Sequence, residues 1–194
     1  MFRAVCWMVL PLVLVACKLP TEYDRAVEKA LSSGQRVDTL FLGLSLGMTS
    51  KEFYAICWEL NKQEIIKAGP GNTSAEQELK DMRHEAYMDF YPEFSDDRIY
   101  KMPVTFRYKA WAPWNRGMFA DSLEQDVLNL MEKWYGNGFF TVASPRDPQR
   151  KVHVKIDGNR RLTVYQVDDQ FVKVEFTDLL RERQLEKKEK QASN

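Results

Sequence analysis

Between residues 151 and 176 the chain alternates apolar and polar side chains three times over, and no other feature limits its fold as tightly. Val152, Val154 and Ile156 alternate with Lys151, His153 and Lys155; after Asp157-Gly158-Asn159 come Leu162, Val164 and Gln166; after Asp168-Asp169 come Val172, Val174 and Phe176. A period of two puts successive side chains on opposite faces of a strand. Turns this short join only antiparallel neighbours, so the segment reads as a three-stranded meander.

Upstream, Glu85–Phe94 and Ile99–Ala110 read as strands of a hairpin closed by Ser95-Asp96-Asp97, and Phe139–Ala143 as a further strand. Thr21 can cap a helix through Tyr23, Val27, Ala30 and Leu31 that Gly34 stops. Thr39–Leu46 reads as a strand leading through Gly47-Met48 to the capping box Thr49-Ser50-Lys51-Glu52 and a helix carrying Phe53, Ile56, Cys57 and Leu60. Gly69-Pro70-Gly71-Asn72 marks a loop, and Thr73–His84 is assigned a short helix. Asp121-Ser122-Leu123-Glu124 forms a second such box before Val127, Leu130, Met131 and Trp134, with Gly136-Asn137-Gly138 as the stop. The expected fold is α+β: a two-layer sandwich with two or three amphipathic helices on one face of a mainly antiparallel sheet, ending in the meander and a charged helical tail.

The start of the chain has a different character. Arg3 precedes an apolar run from Ala4 to Ala16, short for a membrane span and of export-signal length, ending in Leu14-Val15-Ala16-Cys17. That ending resembles the bacterial lipobox, in which the cysteine is diacylated, becomes the new N-terminus and is usually N-acylated. The resemblance implies lipidation at Cys17, a palmitate-type anchor, cleavage of residues 1–16, and a mature protein held in the cell envelope. Lys18, in place of an aspartate, implies onward transport to the outer membrane, the domain facing the periplasm or displayed at the surface. Residues 17–20 then form the lipidated anchor and linker, 21–178 a single domain, and 179–194 the charged tail. Three linker residues reach at most about 10 Å, so the domain is confined near the bilayer.

Charge and cysteine content exclude several classes. The leader carries one of the 28 basic residues and none of the 28 acidic ones, so the mature side chains are nearly neutral, without the footprint of a nucleic-acid binder. With Cys6 removed and Cys17 acylated, Cys57 has no cysteine to pair with, and its helical spacing among apolar residues makes it a packed structural thiol.

The run Leu44-Ser45-Leu46-Gly47-Met48-Thr49-Ser50-Lys51-Glu52-Phe53 resembles the opening of BamE-like outer-membrane lipoproteins, small α/β domains that scaffold β-barrel assembly. In that family the helix ends in a Leu-Gly turn, whereas here Leu60-Asn61-Lys62 continues toward Ile66. The chain as a whole is similar to uncharacterised envelope lipoproteins of Bacteroidota. Asp38-Thr39-Leu40 and Asp121-Ser122-Leu123 match the Asp-Ser/Thr-apolar pattern used there for O-glycosylation.

The candidate ligand-binding residues are Trp111, Trp114 and Arg116, where two indoles beside a guanidinium could stack on a sugar or peptide. The competing reading folds the tryptophans back over one end of the sheet. His84 and His153 lack metal-ligand spacing, so no metal is expected. Asp96-Asp97 and Asp168-Asp169 belong in turns rather than in acid–base work. Nucleophile elbows, zincin motifs and phosphate loops do not occur. The expectation is a non-catalytic interaction or assembly domain without a cofactor beyond its covalent lipid, whose partners are the membrane and an envelope protein. The alternative is a small-molecule or glycan binder at Trp111 and Trp114.

Overall fold

The computed structural model describes residues 19–144, 147 and 151–193, so the leader, Cys17 and Lys18 lie outside the described residues. The fold is α+β. Four helices accompany a nine-stranded antiparallel sheet: α1 (Glu22–Ser32), α2 (Ser50–Lys62), β1 (Lys67–Ala68), β2 (Ala75–Leu79), β3 (Ala86–Phe90), β4 (Glu93–Ser95), β5 (Arg98–Tyr108), α3 (Ala120–Tyr135), β6 (Phe140–Ala143), β7 (Lys151–Asp157), β8 (Arg160–Gln166), β9 (Val172–Asp178) and α4 (Leu179–Ala192). The strands run in the order β1-β2-β3-β5-β9-β8-β7-β6, with β4 beside the first half of β5.

The three strands of the meander form, but β7 is turned over relative to the other two: Val164 lies opposite Val174 on one side and His153 on the other, and Leu162 opposite Phe176 and Lys155. The upstream hairpin is interrupted after Phe90, so that β3 pairs with the second half of β5 and β4 with the first. Asp96 and Asp97 both have positive φ, 49° and 56°, the geometry of a two-residue turn matched to strand twist.

Residues directly opposite each other share a face, which sorts the side chains into two layers. On the core face, Met88, Phe90, Val104, Phe106, Leu162, Val164, Val174 and Phe176 pack with Phe53 of α2 and with Leu123, Val127 and Met131 of α3. Phe41 closes this layer edge-on against Phe90, ring centroids 5.0 Å apart.

Three expectations are corrected. Thr39–Leu46 is no strand: a single bridge joins Thr39 to Ser45, and the chain doubles back through Leu42 and Gly43, both at positive φ. An extended run would present only alternate residues to the core, whereas the fold-back buries Leu40, Phe41, Leu44 and Leu46 together. The short helix assigned to Thr73–His84 does not form: Ala75–Leu79 is β2, because pairing along the whole of β3 outweighs weak local preference, and the residues after it are irregular. The box at Asp121–Glu124 does not form; α3 starts earlier, after Phe119, which offers no capping side chain.

Both other helix starts form as read. Thr21 and Asp24 cap α1 reciprocally, as Thr49 and Glu52 cap α2. The tail is a helix from residue 179 onward, and its first turns dock: Asp178 caps it, Leu179 is buried, Arg181 pairs with Asp96, and Arg183 lies 2.6 Å from Glu28 of α1.

The β7–β8 turn anchors the long irregular segment after α1. Asn159, fully buried, accepts from the Val37 amide at 2.7 Å and donates to Asp38 at 3.0 Å, while its carbonyl accepts from Leu179. At Gly158, φ is +55° and a Cβ would lie 2.3 Å from the Gln35 carbonyl oxygen, so only glycine fits this crossing.

Candidate functional site

Of the predicted site residues, Trp111 and Arg116 meet on the ring of Phe119, and Trp114 stands apart. Trp111 packs against the core, its ring 6.1 Å from Phe119, with its indole nitrogen buried and unpartnered. Trp114 is 86% exposed. Arg116 stacks on Phe119 at 4.7 Å rather than on either indole. No ring contact joins Trp111 to Trp114 among the described residues.

The remaining singled-out residues have structural surroundings. Cys57 is half-buried against the core, and burial pushes its thiol up to about 11, far from thiolate chemistry at neutral pH. His84 stands edge-on to Tyr108 at 5.5 Å, and Nε2 of His153 lies 3.9 Å from Glu124. Asp97 accepts from the Ser50 amide and hydroxyl at 3.2 and 2.6 Å, holding the hairpin to the positive end of α2. Those bonds keep its carboxyl below the usual range. Asp168 accepts from the amides of Gln170 and Phe171, turning the chain locally. Thr39 is exposed, and Ser122 lies in the first turn of α3. Among the described residues no group of three or more His, Cys, Asp or Glu side chains could hold a metal, and no helix is long and apolar enough to cross a membrane.

Three other surfaces carry the features that sequence reading missed. The first is aromatic. Tyr54 and Trp58, one helical turn apart on α2, are 52% and 63% exposed, and the Tyr54 hydroxyl meets that of exposed Tyr91 at 2.6 Å. Lys62 rests over the Trp58 ring at 5.6 Å. The helix buries Phe53 and turns these larger aromatics outward, where an i, i+4 count from Tyr54 could have exposed them as a second stripe.

The second lies on the face of the sheet away from the core, where Lys67, Glu76, Tyr87, Asp89 and Arg107 meet across β1, β2, β3 and β5. Glu76 is buried between Arg107, which it bonds directly, and Lys67 at 3.0 Å. Arg107 also lies 3.6 Å from Asp89 and stacks at 4.3 Å over Tyr87. One Asp89 oxygen is buried without a partner, and burial pushes this carboxyl up to about 6, with Arg107 opposing the shift.

The third is a cavity of about 720 Å³ on the same face, at the other end of the sheet. Val142, Val152, Val154 and Thr163 form its floor, and Thr21, Glu22 and Tyr23 of the α1 start form one lip. Arg161 bridges the rim, donating to the Tyr23 hydroxyl at 2.6 Å and to Glu182 of α4 at 2.7 Å. Its size falls within the range of ligand pockets. No family model, curated protein or solved structure matches the chain.

Proposed function

We propose that this is an envelope lipoprotein, anchored through Cys17, whose α+β domain acts without catalysis as an interaction or assembly module beside the outer membrane. The observation that carries this reading is the spacing at the start. A lipobox-like Leu14-Val15-Ala16-Cys17 is separated from Thr21 by three residues, and the helix capped there packs on β7 and is held to β8 through Tyr23 and to α4 through Glu28. A domain so tethered meets partners at the bilayer surface. The patch of Tyr54, Trp58 and Tyr91 is the surface assigned to a protein partner, since interfaces draw their anchors from exposed Trp and Tyr.

A photo-crosslinking amino acid at position 58, in intact cells making the full chain, tests this. The expected result is capture of the same protein neighbour in repeated experiments, lost when Tyr54 and Tyr91 are changed to Ala and reduced when Cys17 is changed to Ser. Capture of no protein, or equal capture without the anchor cysteine, overturns the reading.

One observation favours a glycan binder as the second reading: Trp114, the most exposed aromatic among the described residues, stands two residues from Arg116. The anchor is common to both readings; the surface used is different.

A further inference from the structure

The cavity beside α1 combines an aliphatic floor with a charged rim whose members already serve one another. Val142 and Val152 are register partners on β6 and β7, and Val154 stands opposite Phe140, so the three valines make one apolar strip. This strip faces away from the main core; among the described residues α1 packs on β7 beside it, with Val152 and Val154 buried and Val142 half-buried. Around it, the terminal nitrogens of Arg161 engage Tyr23 and Glu182, Glu175 accepts from Tyr165 at 3.1 Å, and Lys101 lies 3.5 Å from Glu93. Glu22 and Asp147 also line the cavity, so carboxylates outnumber its cations Lys101 and Arg161 and the site does not attract an anionic ligand. It suits a flexible apolar guest, each buried methylene of which contributes about 0.8 kcal/mol.

The lip of the cavity is also the point where the chain leaves for its anchor. Thr21, Glu22 and Tyr23 line the opening, and Cys17 is separated from Thr21 by only three residues. A group attached at Cys17 is therefore held within about 14 Å of the lip, and a tether this short raises its local concentration to about the millimolar range. We infer that the cavity receives one acyl chain of the lipid carried by Cys17. The inference rests on the lipoprotein reading above. Two acyl chains suffice for stable membrane anchoring, so a triacylated cysteine can spare the third.

The test uses the full-length protein from cells fed a palmitate analogue bearing a photoreactive diazirine. After illumination of intact envelopes, the chain is digested and its peptides are mapped by mass spectrometry. The expected product links the lipid-modified Cys17 peptide to peptides spanning 140–143 or 151–165 of the same molecule. Its yield should fall at least tenfold in Val154→Trp, which fills the cavity, with acylation of Cys17 unchanged. Val142→Trp, at a half-buried position, serves the same purpose if Val154→Trp does not fold. Acylated Cys17 without such links overturns the inference and leaves the anchor standing. Phospholipid adducts on the valine strip in place of Cys17 links also overturn it, by assigning the cavity to a bilayer amphiphile. Absence of label from Cys17 overturns both readings together.

Discussion

The two faces of the sheet are built from the same strands yet follow different rules. On the core face, α2, α3 and the folded-back loop of residues 39–46 seal an apolar layer in which Phe106, Val174 and Leu162 are essentially inaccessible to water. On the opposite face, α1 and the start of α4 cover only one end, and the rest is held by ion pairs and stacked cations. Burial of hydrocarbon is insensitive to charge and pH. Partly buried ion pairs are sensitive to both, and their net worth is small after desolvation. The closed face therefore carries the stability, and the open face is where groups can respond to ligands and protons.

The largest expected effect follows directly. Phe176→Ala removes a ring lying 5.8 Å from Phe41 and 5.3 Å from Tyr135, and should cost about 3–5 kcal/mol in urea or thermal unfolding. Val154→Ala on the opposite face should cost only about 1–2 kcal/mol by the same measurement, and less than Val174→Ala, the same truncation on the core face. Equal losses would abolish the distinction between the faces.

That distinction was only half legible in the sequence. Alternation alone located β7, β8 and β9 and their turns, because a period of two is enforced residue by residue. It did not reveal that β7 is inverted relative to its neighbours. Register sets His153 and Lys155 beside Val164 and Leu162 on the core face, where Lys155 is held by the Asn137 carbonyl and Asp157, while Val152 and Val154 turn to the other side. Which face a strand's apolar residues choose is a property of pairing partners distant in sequence, invisible to a local window. The same limit hides the cluster of Glu76, Asp89 and Arg107, since local preference in Thr73–His84 points to a helix and only the pairing of β2 with β3 brings these residues together. Of the candidate ligand site, the sequence supplied Trp111 and Trp114 but not that one is half-buried against the core and the other exposed, which depends on how the loop returns to Phe119.

A smaller effect probes the edge of the closed face. The Tyr108 hydroxyl donates to buried Asp126 at 2.6 Å, with exposed Arg83 at 3.4 Å as the other partner of that carboxylate. Tyr108→Phe should lower stability by about 2 kcal/mol, the usual worth of a hydrogen bond to a charged group. Because Asp126 then depends on Arg83 alone, the double variant with Arg83→Ala should lose more than the two single losses combined. Simple additivity would show that the two partners of Asp126 act independently.

The open face makes an opposite-signed prediction. Burial pushes the Asp89 carboxyl up to about 6 in the folded protein, above its value of about 4 when unfolded. Between those values the folded state keeps a proton that the unfolded state releases, so rising pH destabilises the fold through this group. Its penalty is absent below about pH 4 and complete above about pH 6. Asp89→Asn, neutral throughout, should exceed the parent protein in stability by about 1–2 kcal/mol at pH 7, with the advantage vanishing toward pH 4. A variant less stable than the parent at pH 7 would show that the 3.6 Å approach of Arg107 outweighs burial.

The smallest expected effect on stability is the most useful for function. Trp114 is so exposed that Trp114→Ala should change the unfolding free energy by less than about 0.5 kcal/mol. A substitution that leaves the fold intact isolates surface chemistry from stability, which no change at Trp111, packed against Phe119, can do. Titration with cell-wall saccharide fragments, followed by tryptophan fluorescence, should therefore give the same null response in parent and variant if the partner binds at Tyr54 and Trp58. Saturable quenching in the parent, lost in Trp114→Ala and retained in Trp58→Ala, would transfer the binding function from the α2 patch to the loop after β5. The comparison of faces would survive that outcome, because Trp114 belongs to neither: it stands beyond the end of the strand, where side chains need not pack.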